Sequence, residues 1–77
     1  MDLMKEFIDD IPERQGWTTR QKLDELLRID SKMYTNLGID STDEERAATK
    51  KISRYIYETV KKVDKDIGEE LLRAIDS

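Results

Sequence analysis

Along the chain, apolar residues recur three and four positions apart and nowhere alternate, which is the period of a helix and not of a strand. Leu3, Met4, Phe7, Ile8 and Ile11 share one face of a first short amphipathic helix. Leu23, Leu26, Leu27, Met33, Tyr34 and Leu37 stripe a second helix, and Ala48, Ile52, Tyr55, Ile56, Val60 and Val63 a third. Ile67, Leu71, Leu72 and Ile75 stripe a short fourth. The pattern predicts one all-α domain over 1–77, a small helical bundle. Its centre is an antiparallel helical hairpin over 18–63, with an N-terminal helix at 1–11, a connector at 12–17 and a C-terminal helix at 64–77 packed across it.

End signals set the boundaries. Asp2 stands where a first N-cap belongs, and Pro12 ends that helix near Asp10, because the residue before a proline is pushed out of helical geometry. A helix of about three turns is not stable alone and must dock. Gly16 turns the connector, and Trp17 is expected to anchor it against the core, with the stem of Lys22 or with Leu23 completing the staple. Thr18 with Gln21 forms a capping box. The second helix is expected to reach Leu37, with Gly38 as a left-handed C-terminal cap and Ile39 packing back on Tyr34. Ser41 with Glu44, or Thr42 with Glu45, caps the third helix, which runs to about Val63; Asp64 or Asp66 caps the fourth. The expected core is Leu23, Leu26, Leu27, Met33, Tyr34, Leu37, Ile52, Tyr55, Ile56, Val60, Val63, Ile67, Leu71 and Leu72.

Composition narrows the function classes. With neither Cys nor His, disulfides, cysteine or histidine zinc sites and imidazole chemistry are excluded. No apolar run is long enough to span a bilayer and no signal-peptide pattern opens the chain, so no membrane is expected, and the cytosol or a particle assembled in it is the expected location. Charged residues make up 42% of the chain, which suits helices with solvated outer faces. Their distribution is uneven. From Arg46 to Lys65, seven basic residues face only Glu58 and Asp64, a net +5 in a chain whose total is −4, so the remainder carries −9.

Asp30 falls in the middle of the second helix's apolar stripe. A carboxylate there must be paired, hydrogen-bonded or facing a partner through a gap; Arg54, Tyr55 and Tyr57 are the candidate mates. Asp64 and Asp66 resemble the opening of a calcium loop, but Gly68 stands where that loop needs an oxygen side chain, Glu69 where it needs glycine and Ile75 where it needs glutamate, so helix capping explains these acids better. Adjacent acids such as Asp9-Asp10, Glu44-Glu45 and Glu69-Glu70 lack the cleft that paired-carboxylate catalysis needs. No nucleophile has an evident base and no glycine-rich phosphate loop exists. The expectation is a non-enzymatic protein without catalytic residues, metal or cofactor.

Two faces remain for binding. Arg46, Lys50, Arg54 and Lys61, with Tyr57 between them, lie along one side of the third helix, off its apolar stripe. Such a row can dock an acidic protein, bind phosphate and stack a base, or be neutralised internally, for instance by Glu58 on Arg54. Leu3, Phe7 and Ile8 on the first helix form a second candidate partner face, unless they complete the core.

From Thr19 to Ile75 the chain resembles short uncharacterised proteins encoded by tailed bacteriophages. The likeness is carried by Leu26, Ile29-Asp30-Ser31, Met33-Tyr34, Asn36-Leu37-Gly38, Asp40-Ser41-Thr42, Ser53-Arg54, Ile56-Tyr57, Val63-Asp64 and Gly68. The first eighteen residues lie outside it. The resemblance implies no catalytic activity. It implies a small accessory protein that sits in the virion or attaches to a host protein. The resulting expectation is a protein-binding module with an acidic partner. A nucleic-acid-binding module using the same face, and a virion structural protein stable only on assembly, are the alternatives. Nothing in the sequence fixes the oligomeric state.

Overall fold

The computed structural model of the chain describes residues 3–35, 37, 38 and 40–76, and among these it forms helices and no strand. The elements are α1 (Leu3–Asp10), a 3₁₀ turn (Ile11–Glu13), α2 (Thr19–Thr35), α3 (Asp43–Val63) and α4 (Lys65–Asp76). This is the small all-α bundle that the periodicity predicts.

Local chemistry accounts for most boundaries. Pro12 stands in the first turn of the 3₁₀ segment, where a missing N–H costs nothing. Gly16 adopts φ 83°, a left-handed conformation open to glycine at little cost. At the start of α2 the Gln21 N–H donates to Thr18 Oγ1 at 3.1 Å, and the Thr18 N–H donates to Gln21 Oε1 at 2.8 Å, a complete capping box. Thr42 caps α3 by accepting from the Glu45 N–H at 3.1 Å. Asp64 caps α4, its Oδ1 accepting from the Ile67 N–H at 3.2 Å, so the acid considered for calcium is used by the helix terminus.

The end of α2 departs from expectation. The helix stops at Thr35, with the Leu37 N–H closing on the Tyr34 carbonyl at 3.1 Å. Gly38 does not take a positive φ and is no left-handed cap. Its carbonyl instead accepts both the Ser41 N–H at 3.1 Å and the Ser41 hydroxyl at 2.7 Å, so Ser41 closes a turn and leaves the capping of α3 to Thr42. The expected contributions of Asp2 and Ile39 lie outside the described residues.

Ile8, Ile11, Leu26, Ile56 and Val60 are fully buried, and Leu23, Ile29, Met33, Ile52, Tyr55, Tyr57, Val63, Ile67 and Leu71 pack around them. Two of the five buried side chains thus come from α1 and its 3₁₀ extension, and Ile8 is core rather than partner surface. Leu3 and Phe7 stay exposed. Tyr34, expected inside, is 44% exposed, and Leu27, Leu37 and Leu72 sit at the margin of the core.

Trp17 does not join the core either. Its ring carries the Arg14 guanidinium at 4.4 Å, and the same guanidinium lies 5.0 Å from the Phe7 ring and bonds Asp10 at 3.1 Å. The connector is held by this stack and by Lys22 Nζ, which donates to the Pro12 carbonyl at 2.8 Å.

The most extensive packing is between α3 and α4, which fold back as a hairpin across the single residue Asp64. Gly68 makes this possible. A β-carbon there would lie 2.6 Å from Lys61 Cβ and closer still to the Lys61 backbone, so only glycine lets the two helices approach this closely.

Candidate functional site

Hairpin register decides what α3 presents. Gly68 lies against Lys61, so α4, running back from there, passes Tyr57 and ends near the level of Ser53. Leu71 and Ile75 of α4 line an open groove of about 460 Å³ together with Tyr57, Asp30 and Tyr34. On the other flank of α4, Lys61 borders a separate depression with Glu69, Leu72 and Arg73. The helix therefore divides the basic row, with Tyr57 on one side and Lys61 on the other.

Tyr57 is also committed internally. Its hydroxyl donates to Asp30 Oδ2 at 2.6 Å while the Ser53 hydroxyl donates to Asp30 Oδ1 at 2.5 Å. Each carboxylate oxygen thus receives a hydroxyl, which is how a side chain only 8% exposed keeps its place in an apolar stripe. Tyr57 is one of the mates considered from sequence, and it is bonded to Asp30. Ser53 was missed because a small hydroxyl on a helix gives no periodicity signal. Burial, and then the hydrogen bond to Asp30 and its nearby charge, push the Tyr57 phenol above the ordinary range. It stays a donor at any physiological pH, and the trio is a structural clasp between α2 and α3.

Arg46, Lys50, Lys51 and Arg54 remain exposed. Arg54 is held in a contact of its own. Arg46, Lys50 and Lys51 precede the level at which α4 ends, so no part of α4 covers them. Beside them, across the cleft between α1 and α3, stands Lys5, its Nζ 5.4 Å from the centre of the Tyr55 ring. The Tyr55 hydroxyl donates to Asp9 and fixes that ring from its far end. Beyond the end of α4 the exposed basic residues are therefore Arg46, Lys50 and Lys51 of α3, joined by Lys5 from α1, a residue that sequence spacing along one helix had no means to find.

The acids of this half are Asp43, Glu44 and Glu45 in the first turn of α3, where the helix dipole favours them. Among the described residues no group of three or more Asp or Glu side chains is placed to hold a metal ion, and no helix is long and apolar enough to cross a membrane. No protein-family model, no curated protein and no solved structure matches the chain.

Proposed function

We propose that the chain is a non-enzymatic protein-binding module whose docking face is the uncovered N-terminal half of α3, and that its partner presents an acidic surface. The observation that carries this is the coincidence of exposure with charge: Arg46, Lys50 and Lys51 are exposed just where α3 loses the cover of α4. Rim charges of this kind steer association and select partners of opposite sign. The resemblance to small proteins of tailed bacteriophages supports an accessory factor that attaches to a host or virion protein.

A nucleic-acid partner is disfavoured by the same geometry. Tyr57, the residue that would stack a base, has its hydroxyl tied to Asp30 and its ring packed against the core. The acidic remainder of the chain also repels an extended polyanion.

Affinity capture from host lysate tests the proposal, run with the wild type, with Arg46→Glu/Lys50→Glu and with Lys61→Glu, each with and without nuclease. Capture of a protein that survives nuclease, is lost in the double variant and persists in Lys61→Glu is the expected result. Loss on nuclease treatment would move the reading to nucleic acid. Equal capture by all three forms would clear α3 of a role.

A further inference from the structure

The cleft between α1 and the N-terminal half of α3 has a volume of about 270 Å³ and is lined by Lys5, Ala48, Lys51, Ile52 and Tyr55. Small-molecule sites occupy about 300–1,000 Å³, so this space suits one side chain better than a whole ligand. Its floor is apolar. Ile52 and Tyr55 pack against the core from below, and Ala48 leaves the entrance low. Its walls are cationic, with Lys5 on one and Lys51 on the other, and no carboxylate lines it. Arg14, Arg20 and Arg28 are spent on Asp10, Asp24 and Glu25, whereas Lys5 and Lys51 are in no ion pair among the described residues. Asp9 on α1 accepts the Tyr55 hydroxyl.

We infer that this cleft receives the single apolar anchor of an acidic peptide segment, whose flanking carboxylates lie on Lys5 and Lys51. This rests on the reading of α3 as a face for an acidic partner and specifies what that partner brings. Two unpaired ammonium groups call for carboxylates, and an apolar floor between them calls for an aliphatic or aromatic side chain.

The test uses the whole chain and two labelled synthetic peptides, in fluorescence anisotropy at low salt. One peptide is a run of glutamates around a central leucine, and the other has serine in its place. The wild type is expected to bind the leucine peptide about tenfold more tightly, the effect of partly burying one such side chain. Ala48→Trp fills the cleft from an exposed position and should erase that preference while leaving the serine peptide bound. Lys5→Ser/Lys51→Ser should weaken both. Circular dichroism checks that each variant folds, and Ala48→Gln, which sets an uncharged polar side chain at the entrance, gives a second route to the same loss. Equal binding of the two peptides, weakened by Arg46→Glu/Lys50→Glu, would overturn the anchor and leave the basic face standing. A leucine preference that survives Ala48→Trp would also overturn it. Binding of neither peptide would remove the acidic-partner reading and the anchor with it. Tighter binding of a single-stranded oligonucleotide than of either peptide would do the same and replace protein by nucleic acid.

Discussion

The two halves of α3 are built from similar residues and serve opposite ends. From Ser53 onward one side of the helix is enclosed: Ser53, Ile56, Thr59 and Val60 are its four buried residues, all in this half. The two polar residues among these four are bonded internally, Thr59 donating to the Tyr55 carbonyl at 3.0 Å and Ser53 to Asp30. Before Ser53 no residue of α3 is buried, and only Thr49 and Ile52 are even half-covered. The difference comes from the length of α4. Its 12 residues can shield only part of the 21-residue α3, so the first turns of α3 extend past its end. Charge that looks continuous in sequence is therefore cut by tertiary cover, and a basic residue means something different on each side of the cut.

The enclosed half is most easily broken at Gly68. Gly68→Ala puts a β-carbon into the Lys61 backbone, which cannot move aside as a flexible side chain could. A loss of about 3 kcal/mol is expected, the upper end for overpacking, measured by urea denaturation. A protein of this size has little more than that to lose. An unchanged midpoint would mean that α4 does not approach α3 closely, and the contrast between the halves would disappear.

Asp30→Leu probes the same half from α2. The leucine adds apolar burial, but the Ser53 hydroxyl, with no exposure, is left without its acceptor. An orphaned buried donor costs about 1–3 kcal/mol, so a net destabilisation of roughly 2 kcal/mol is expected. Adding Ser53→Ala and Tyr57→Phe removes the stranded hydroxyls and should recover most of it, because replacing a whole buried polar cluster by apolar groups is often neutral. A stabilised Asp30→Leu single variant would show instead that Asp30 is not clasped and is kept for a partner.

How much of this could be read from the sequence depended on range. The caps at Thr18, Thr42 and Asp64 were legible because both members of each lie within three residues. Gly38 misled because a glycine after a helical stripe fits a left-handed cap, yet here its carbonyl, engaged by Ser41, is what matters. Ile8 and Ile11 could be seen as apolar, but whether they face the core or a partner is decided by where the 3₁₀ turn at Pro12 sends α1, and no local pattern encodes that. The basic row was legible as a row. Its division by α4, the commitment of Tyr57 to Asp30 and the arrival of Lys5 beside Lys51 are contacts between residues far apart in the chain, beyond the reach of helical spacing.

Alkaline pH separates the clasp from ordinary tyrosines. The Tyr57 phenol holds its proton more tightly in the folded chain than its usual value of 10.0 allows, so above about pH 10 the unfolded chain releases a proton that the folded one keeps. Stability is therefore fully present below that pH and falls as pH rises beyond it. Tyr57→Phe should cost about 1 kcal/mol at neutral pH, the loss of one hydrogen bond to a charged group partly offset by water at a half-exposed site, and should flatten the alkaline decline. Chemical denaturation at neutral pH and at pH near 11 gives both quantities. An equal decline in the two proteins would place the sensitivity elsewhere.

The smallest expected effect bears most directly on the open half. Arg46→Glu/Lys50→Glu alters two exposed side chains, and such changes usually stay within about 0.5 kcal/mol. The sign can even be favourable, since Arg46 lies one turn into α3, where a carboxylate suits the helix dipole better than a guanidinium does. Thermal melting should therefore leave the midpoint in place while capture of the acidic partner is lost. That pairing is what a binding face requires: residues retained for something other than folding can be reversed in charge without cost to the fold. If the same variant melts much earlier, Arg46 and Lys50 are held by contacts within the chain, and the two halves of α3 differ in degree of burial but not in role.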